Sequence, residues 1–150
     1  MSLLKQKLHQ RCLLLLQERI RSIDTIMASC QDAANSQALN SPGDQRGTGR
    51  AVMQLDRENH AVQRVNALQE LQKIRSLDID KPRDIAEEGA LVYTDNGIFF
   101  FAISAGKVII EEQEVHIISI TSPIGQAFYG AEEEEDIVFR NKDYEVIEIC

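Results

Sequence analysis

The chain has 150 residues, 43% of them apolar, and a formal net charge of −8. That length can bury one modest core, and no run approaches the roughly 18 apolar residues of a membrane span. The acidic total also argues against a general nucleic-acid binder, which needs a concentrated basic surface.

Met1–Leu3 carries no signal-peptide pattern, because charged and polar residues continue through the next thirty positions. Cys12, Cys30 and Cys150 are isolated and form no C-x-x-C pair. They read as free thiols of a reducing cytoplasm, Cys12 and Cys30 as small residues on a helix interface. Between Leu3 and Ala34 there is no Pro or Gly, and Leu13, Leu16, Ile20, Ile23, Met27, Cys30 and Ala34 recur in steps of three and four. This predicts a first helix with a coiled-coil seam. Asn35–Gly49, rich in Ser, Asn and Gly and containing Pro42, is a reversal signal. A second helix is predicted from about Thr48 to Leu77, with Val52, Leu55, Val62, Val65, Leu68, Leu71 and Ile74 as its apolar row. Residues 1–78 thus read as an antiparallel two-helix coiled-coil hairpin with its tip at about 35–49. Pro82 stops the helix, and residues 79–84 form a linker.

Residues 85–150 read as an antiparallel sheet domain, with strands near Ala90–Thr94, Ile98–Ser104, Lys107–Glu112, Val115–Ile120, Ile137–Arg140 and Tyr144–Ile149. Asp95-Asn96-Gly97, Ala105-Gly106 and Asn141-Lys142-Asp143 are the turn signals. Phe99 and Phe101 point to one face and Phe100 to the other, which makes either face a candidate contact surface. After the fourth strand, Ser122 is an N-cap and Pro123 a first helical residue. Ile124, Ala127 and Phe128 follow at i, i+3 and i+4, and Gly130 supplies the stop. The run Glu132–Asp136 reads as a solvated turn. Charge divides unevenly. Residues 1–80 hold eleven Lys or Arg against nine Asp or Glu, and residues 81–150 hold five against fifteen. A globular half that acidic suits a protein partner with a basic patch. His9, His60 and His116 lack partners at ligand spacing, and no Gly-rich phosphate loop or G-x-S-x-G is present. No metal site and no cofactor are expected.

The order strand, Ser-Pro-Ile-Gly, short helix, acidic turn, strand, turn, strand resembles the C-terminal domain of the Gre transcript-cleavage factors of bacterial RNA polymerase. The resemblance covers residues 85–150 and is densest from Ile118 to Ile149. It implies an α+β protein, the hairpin being followed by an FKBP-like antiparallel sheet domain with a short helix. In that family the coiled coil enters the polymerase secondary channel and the globular domain grips its rim. Ser122, Pro123, Ile124, Gly125 and Phe128 are then the implied polymerase-binding residues. The family's hairpin tip carries an acidic pair, three residues apart after a Gly, that helps hold a Mg²⁺ of the polymerase site. Here Gly43 and Asp44 match the Gly and the first acid, while Gly47 stands where the second acid would be. Arg46 and Arg50 become candidate contacts to RNA phosphate or polymerase acids, near the nascent RNA 3′ end. Asp44 also reads as a helix-start acid in Ser41-Pro42-Gly43-Asp44, and both roles stay open. The implied protein is a cytoplasmic accessory factor and not an enzyme, with weak or absent stimulation of transcript cleavage. Oligomerisation is not required. Two alternatives remain at this level: an FKBP-like prolyl isomerase or chaperone, and a self-associating structural coiled coil.

Overall fold

The computed structural model of the chain describes residues 3–40 and 45–150, with side chains over 3–29, at 52 and over 54–150. The class is α+β. Two long helices, α1 (Leu3–Asn40) and α2 (Gln45–Ser76), precede β1 (Leu91–Thr94), β2 (Gly97–Phe101), β3 (Gly106–Ile110) and β4 (Gln113–Ile118). A short α3 (Pro123–Phe128) then leads to β5 (Asp136–Phe139) and β6 (Lys142–Ile149). Both long helices run further into the expected reversal than its composition implies, since residues 35–40 and 45–49 are helical. Ser, Asn and Gly each lower helix propensity by about 1 kcal/mol or less, which propagation from a long helix overcomes. Among the described residues no helix is long and apolar enough to cross a membrane.

The chain divides into two compact units, residues 16–72 and residues 1–15 with 73–150. In the first, ion pairs join Arg19 to Glu70 at 3.2 Å and Asp24 to Arg64 at 2.6 Å. The partner number falls as the first rises, so the helices are antiparallel. Both pairs are exposed and contribute well under about 1 kcal/mol each. Leu16 and Ile23 are buried as the seam on α1 predicts. The row predicted on α2 holds at Leu71 and Ile74, which are buried, and is corrected at Val52, Leu55, Val62, Val65 and Leu68, which are exposed, while Ala67, outside the row, is buried. Successive steps of three turn backwards by about 60° each, so that row spirals off any single face.

In the second unit the six strands run in the order β3-β4-β2-β1-β6-β5. Four pairings are antiparallel as expected, but β2 and β4 are parallel, with Phe100 opposite Ile117. Ala105-Gly106 therefore closes no hairpin. The chain passes to the edge, forms β3, and turns back at Glu111-Glu112 to place β4 beside β2. Glu111 and Glu112 have φ of 51° and 66°, and Arg140 and Asn141, which join β5 to β6, have φ of 51° and 65°. Left-handed residues at both corners match strand twist but suit glycine better than glutamate. Glu112→Gly should therefore stabilise the fold by about 1 kcal/mol, read as a raised urea midpoint; a lowered midpoint would contradict the turn. The Lys7–Glu111 ion pair is left intact by that change.

Alternation gives the sheet two faces. Val92, Phe99, Phe101, Tyr144, Val146 and Ile149 form a core with Phe128 of α3. Leu91, Phe100, Val115, Ile117 and Val108 point the other way and are also buried. On that side lies the start of α1, whose Leu4, Leu8 and Cys12 are buried. Lys7 ties it to Glu111, and Lys5 Nζ donates to the Cys150 carbonyl at 3.2 Å. Neither sheet face is a free contact surface at the phenylalanines, which corrects the expectation for them. Burial pushes the Cys12 thiol from 9.0 up to about 12. A folded value above the unfolded one means the neutral thiol favours the fold. Its contribution is full below about pH 9 and is lost as pH rises toward 12. Iodoacetamide at pH 8 should spare Cys12 in the native chain and modify it in urea, as peptide mass spectrometry would show. Rapid native modification would place Cys12 at the surface.

Candidate functional site

The site that the sequence singles out is the elbow between β4 and α3. Ser122 accepts from the Gly125 amide at 3.1 Å and donates its own hydroxyl to the Ser119 carbonyl at 2.6 Å. Its extended backbone (φ −72°, ψ 157°) and Pro123 at the first helical position are the expected cap. Ser119 Oγ lies 2.7 Å from Thr121 Oγ1 and accepts from the Thr121 amide at 3.2 Å, so the elbow is cross-braced before the helix begins. A Cβ on Gly125 would lie 2.0 Å from the Ser119 carbonyl oxygen. Gly125 is present because the helix start rests directly on the preceding backbone.

Phe128 is fully buried. Its ring centroid lies 5.1 Å from Phe99, 5.3 Å from Tyr144 and 6.2 Å from Phe101. Phe128 and Gly125 thus hold the elbow from inside and offer no surface to a partner. Pro123 is exposed, and Ile124 and Ser122 are half-exposed. The outward surface gains two residues that sequence reasoning missed: Gln126, which is exposed, and Tyr129, which is 60% exposed. The signal was available, because both fall outside the Ile124, Ala127, Phe128 row. Beyond Tyr129, Gly130 (φ +82°) donates to the Ala86 carbonyl at 2.8 Å, and Ala86 donates to the Ala131 carbonyl at 2.9 Å.

The acidic turn follows. Glu135 caps its own turn by accepting from the Glu132 amide at 3.0 Å, and Glu133 accepts from the Ile149 amide at 3.2 Å. The five carboxylates Glu132–Asp136 are exposed. Among the described residues no group of three His, Cys, Asp or Glu could hold a metal ion. An exposed aromatic and an apolar residue beside a concentrated negative patch can dock a basic protein surface.

Of the tip residues, Gly43 and Asp44 lie outside the described residues, while Arg46 and Arg50 are on the first turns of α2, as is Gly47. The histidines stay apart. His116 stacks on Phe99 at 5.3 Å, and His9 Nε2 lies 2.7 Å from the Ile74 carbonyl oxygen. His60 is half-buried with an unpartnered Nδ1. Compared with family models, curated protein sequences and solved structures, the chain matches none of them.

Proposed function

We propose that this chain is a Gre-like regulator that binds bacterial RNA polymerase in its secondary channel and modulates transcription elongation. One observation carries the reading. The strand–Ser-Pro-Ile-Gly–helix elbow, with its cap at Ser122 and close approach at Gly125, stands in a sheet that follows an antiparallel pair of long helices. The acidic turn, the exposed Pro123, Gln126 and Tyr129, and the half-exposed Ile124 would meet the polymerase rim. The tip would lie near the nascent RNA 3′ end. Any RNA cleavage would belong to the polymerase, and Gly47 leaves the tip one carboxylate short of the family's pair. The prolyl-isomerase reading loses support. Its aromatic pocket would need free ring faces, and Phe99, Phe101, Phe128 and Tyr144 pack on one another.

The experiment is a pull-down of purified core RNA polymerase by the full chain, with a known secondary-channel factor as competitor. Capture that the competitor displaces is the expected result. Absence of capture, or capture indifferent to the competitor, overturns the reading.

A further inference from the structure

Among the described residues the sheet ends on β3, which pairs with β4 on one side only. Glu111-Glu112, left-handed at both positions, is a two-residue corner, so the flanking Ile110 and Gln113 form a hydrogen-bonded pair. By alternation Val108 and Gly106 also bond to β4, while Lys107 and Ile109 turn their amides and carbonyls outward. The edge is apolar at its centre. Ile109 is 69% exposed, between the buried Val108 and the half-buried Ile110. An uncovered ladder of this kind is a template for another strand, which a charge on the edge ordinarily blocks.

Here the charges are self-complementary. Lys107 and Glu111 stand two positions before and two positions after Ile109. With a second copy laid antiparallel, Ile109 on Ile109, Lys107 falls opposite Glu111 of the second copy and Glu111 opposite its Lys107. This register uses the outward backbone groups, because Ile109 and its copy exchange two hydrogen bonds across the twofold axis. It also keeps the ion pairs already present. Lys7 meets Glu111 and Lys107 meets Glu114, and these four side chains are 37% to 57% exposed, with room for a second neighbour. The order Lys7, Glu111, then Lys107 and Glu114 of the second copy alternates in sign throughout. Laid instead on β5 of a second copy, Ile109 on Val138, β3 would oppose Lys107 to Arg140 and Glu111 to Asp136. Like charges thus repel the head-to-tail arrangement and favour the closed one.

We propose that the β3 edge pairs with the same edge of a second copy, joining two sheets into one across a twofold axis at Ile109. The inference is independent of the polymerase reading. Five residues bury little area, so the dimer is weak, with a Kd on the order of 100 μM at low salt.

The test is sedimentation equilibrium of the full chain at low salt, over concentrations about tenfold either side of that value. The wild type should pass from monomer to dimer. Ile109→Lys sets two like charges against each other on the axis and should weaken association about tenfold or more. Lys107→Glu and Glu111→Lys should each remain monomeric alone, because each opposes like charges on both sides of the axis. Mixed in equal amounts these two variants should associate, since together they restore opposite charges across it. All three positions are exposed, and circular dichroism checks that each variant keeps the wild-type fold. Should a charge variant lose it, the wild type and Ile109→Lys decide. A wild type that stays monomeric overturns the proposal. So does a dimer that survives Ile109→Lys, which would place the contact elsewhere, or a mixture of folded charge variants that fails to associate.

Discussion

Gly125→Ala is expected to destabilise the sheet-bearing unit by about 3 kcal/mol, the upper end for overpacking. Gly125 lies outside the left-handed region, so the obstacle is space alone. Its Cβ would be 2.0 Å from the Ser119 oxygen and 2.9 Å from Ile120 Cα. Both are backbone atoms, and the two bonds made by Ser122 hold that backbone in place. The elbow can relieve the clash only by moving α3, which would withdraw Phe128 from Phe99 and Tyr144. Urea unfolding followed by circular dichroism measures the loss. Ser122→Ala, removing a single cap, serves as a yardstick at about 1 kcal/mol. An unchanged midpoint for Gly125→Ala would show that the helix start does not rest on the Ser119 backbone. Binding assays on Gly125 or Phe128 variants would therefore report folding. Tyr129→Ala and Gln126→Ala are the variants that probe the outward surface.

Gly47→Glu is expected to raise transcript shortening in stalled elongation complexes by about a hundredfold, from little or no stimulation by the unmodified chain. The argument rests on the proposed polymerase reading. A metal clamp built from two hard carboxylate oxygens loses several kcal/mol of transition-state stabilisation, in rough terms, when one is absent. Asp44 is the first acid and Gly47 occupies the place of the second. Gly47 is in the first turn of α2, where a glutamate improves helix propensity and complements the dipole by about 0.3–1 kcal/mol. The substitution therefore leaves the helix intact. Asp44→Ala added to Gly47→Glu should abolish the gain at fixed Mg²⁺. Strong cleavage by the unmodified chain, insensitive to Asp44→Ala, would place the chemistry elsewhere or remove it.

The parts of this protein legible in its residues are those governed by neighbours within about four positions. Ser122 and Pro123 announce a capped helix because the acceptor, the fixed φ and the waiting amide all lie within one turn. Asp95-Asn96 closes the β1–β2 hairpin for the same local reason, and the long stretches free of Pro make helices. The candidate site was half legible: the elbow could be read, but Phe128 and Gly125 were assigned to a surface that they support from within. Composition overstated the reversal, since residues 35–40 and 45–49 continue the helices. Tertiary structure alone decided the parallel β2–β4 pair, because strand order follows from which apolar faces can be covered together, and a hairpin signal carries no such information. It also buried Ala67 in place of Val62 and Val65 on α2, while Leu71 and Ile74 of the expected row stayed inside. Lys5 and Arg83 line one cleft although 78 positions separate them in the chain, because burial acts through space and only the folded chain sets which residues share a surface.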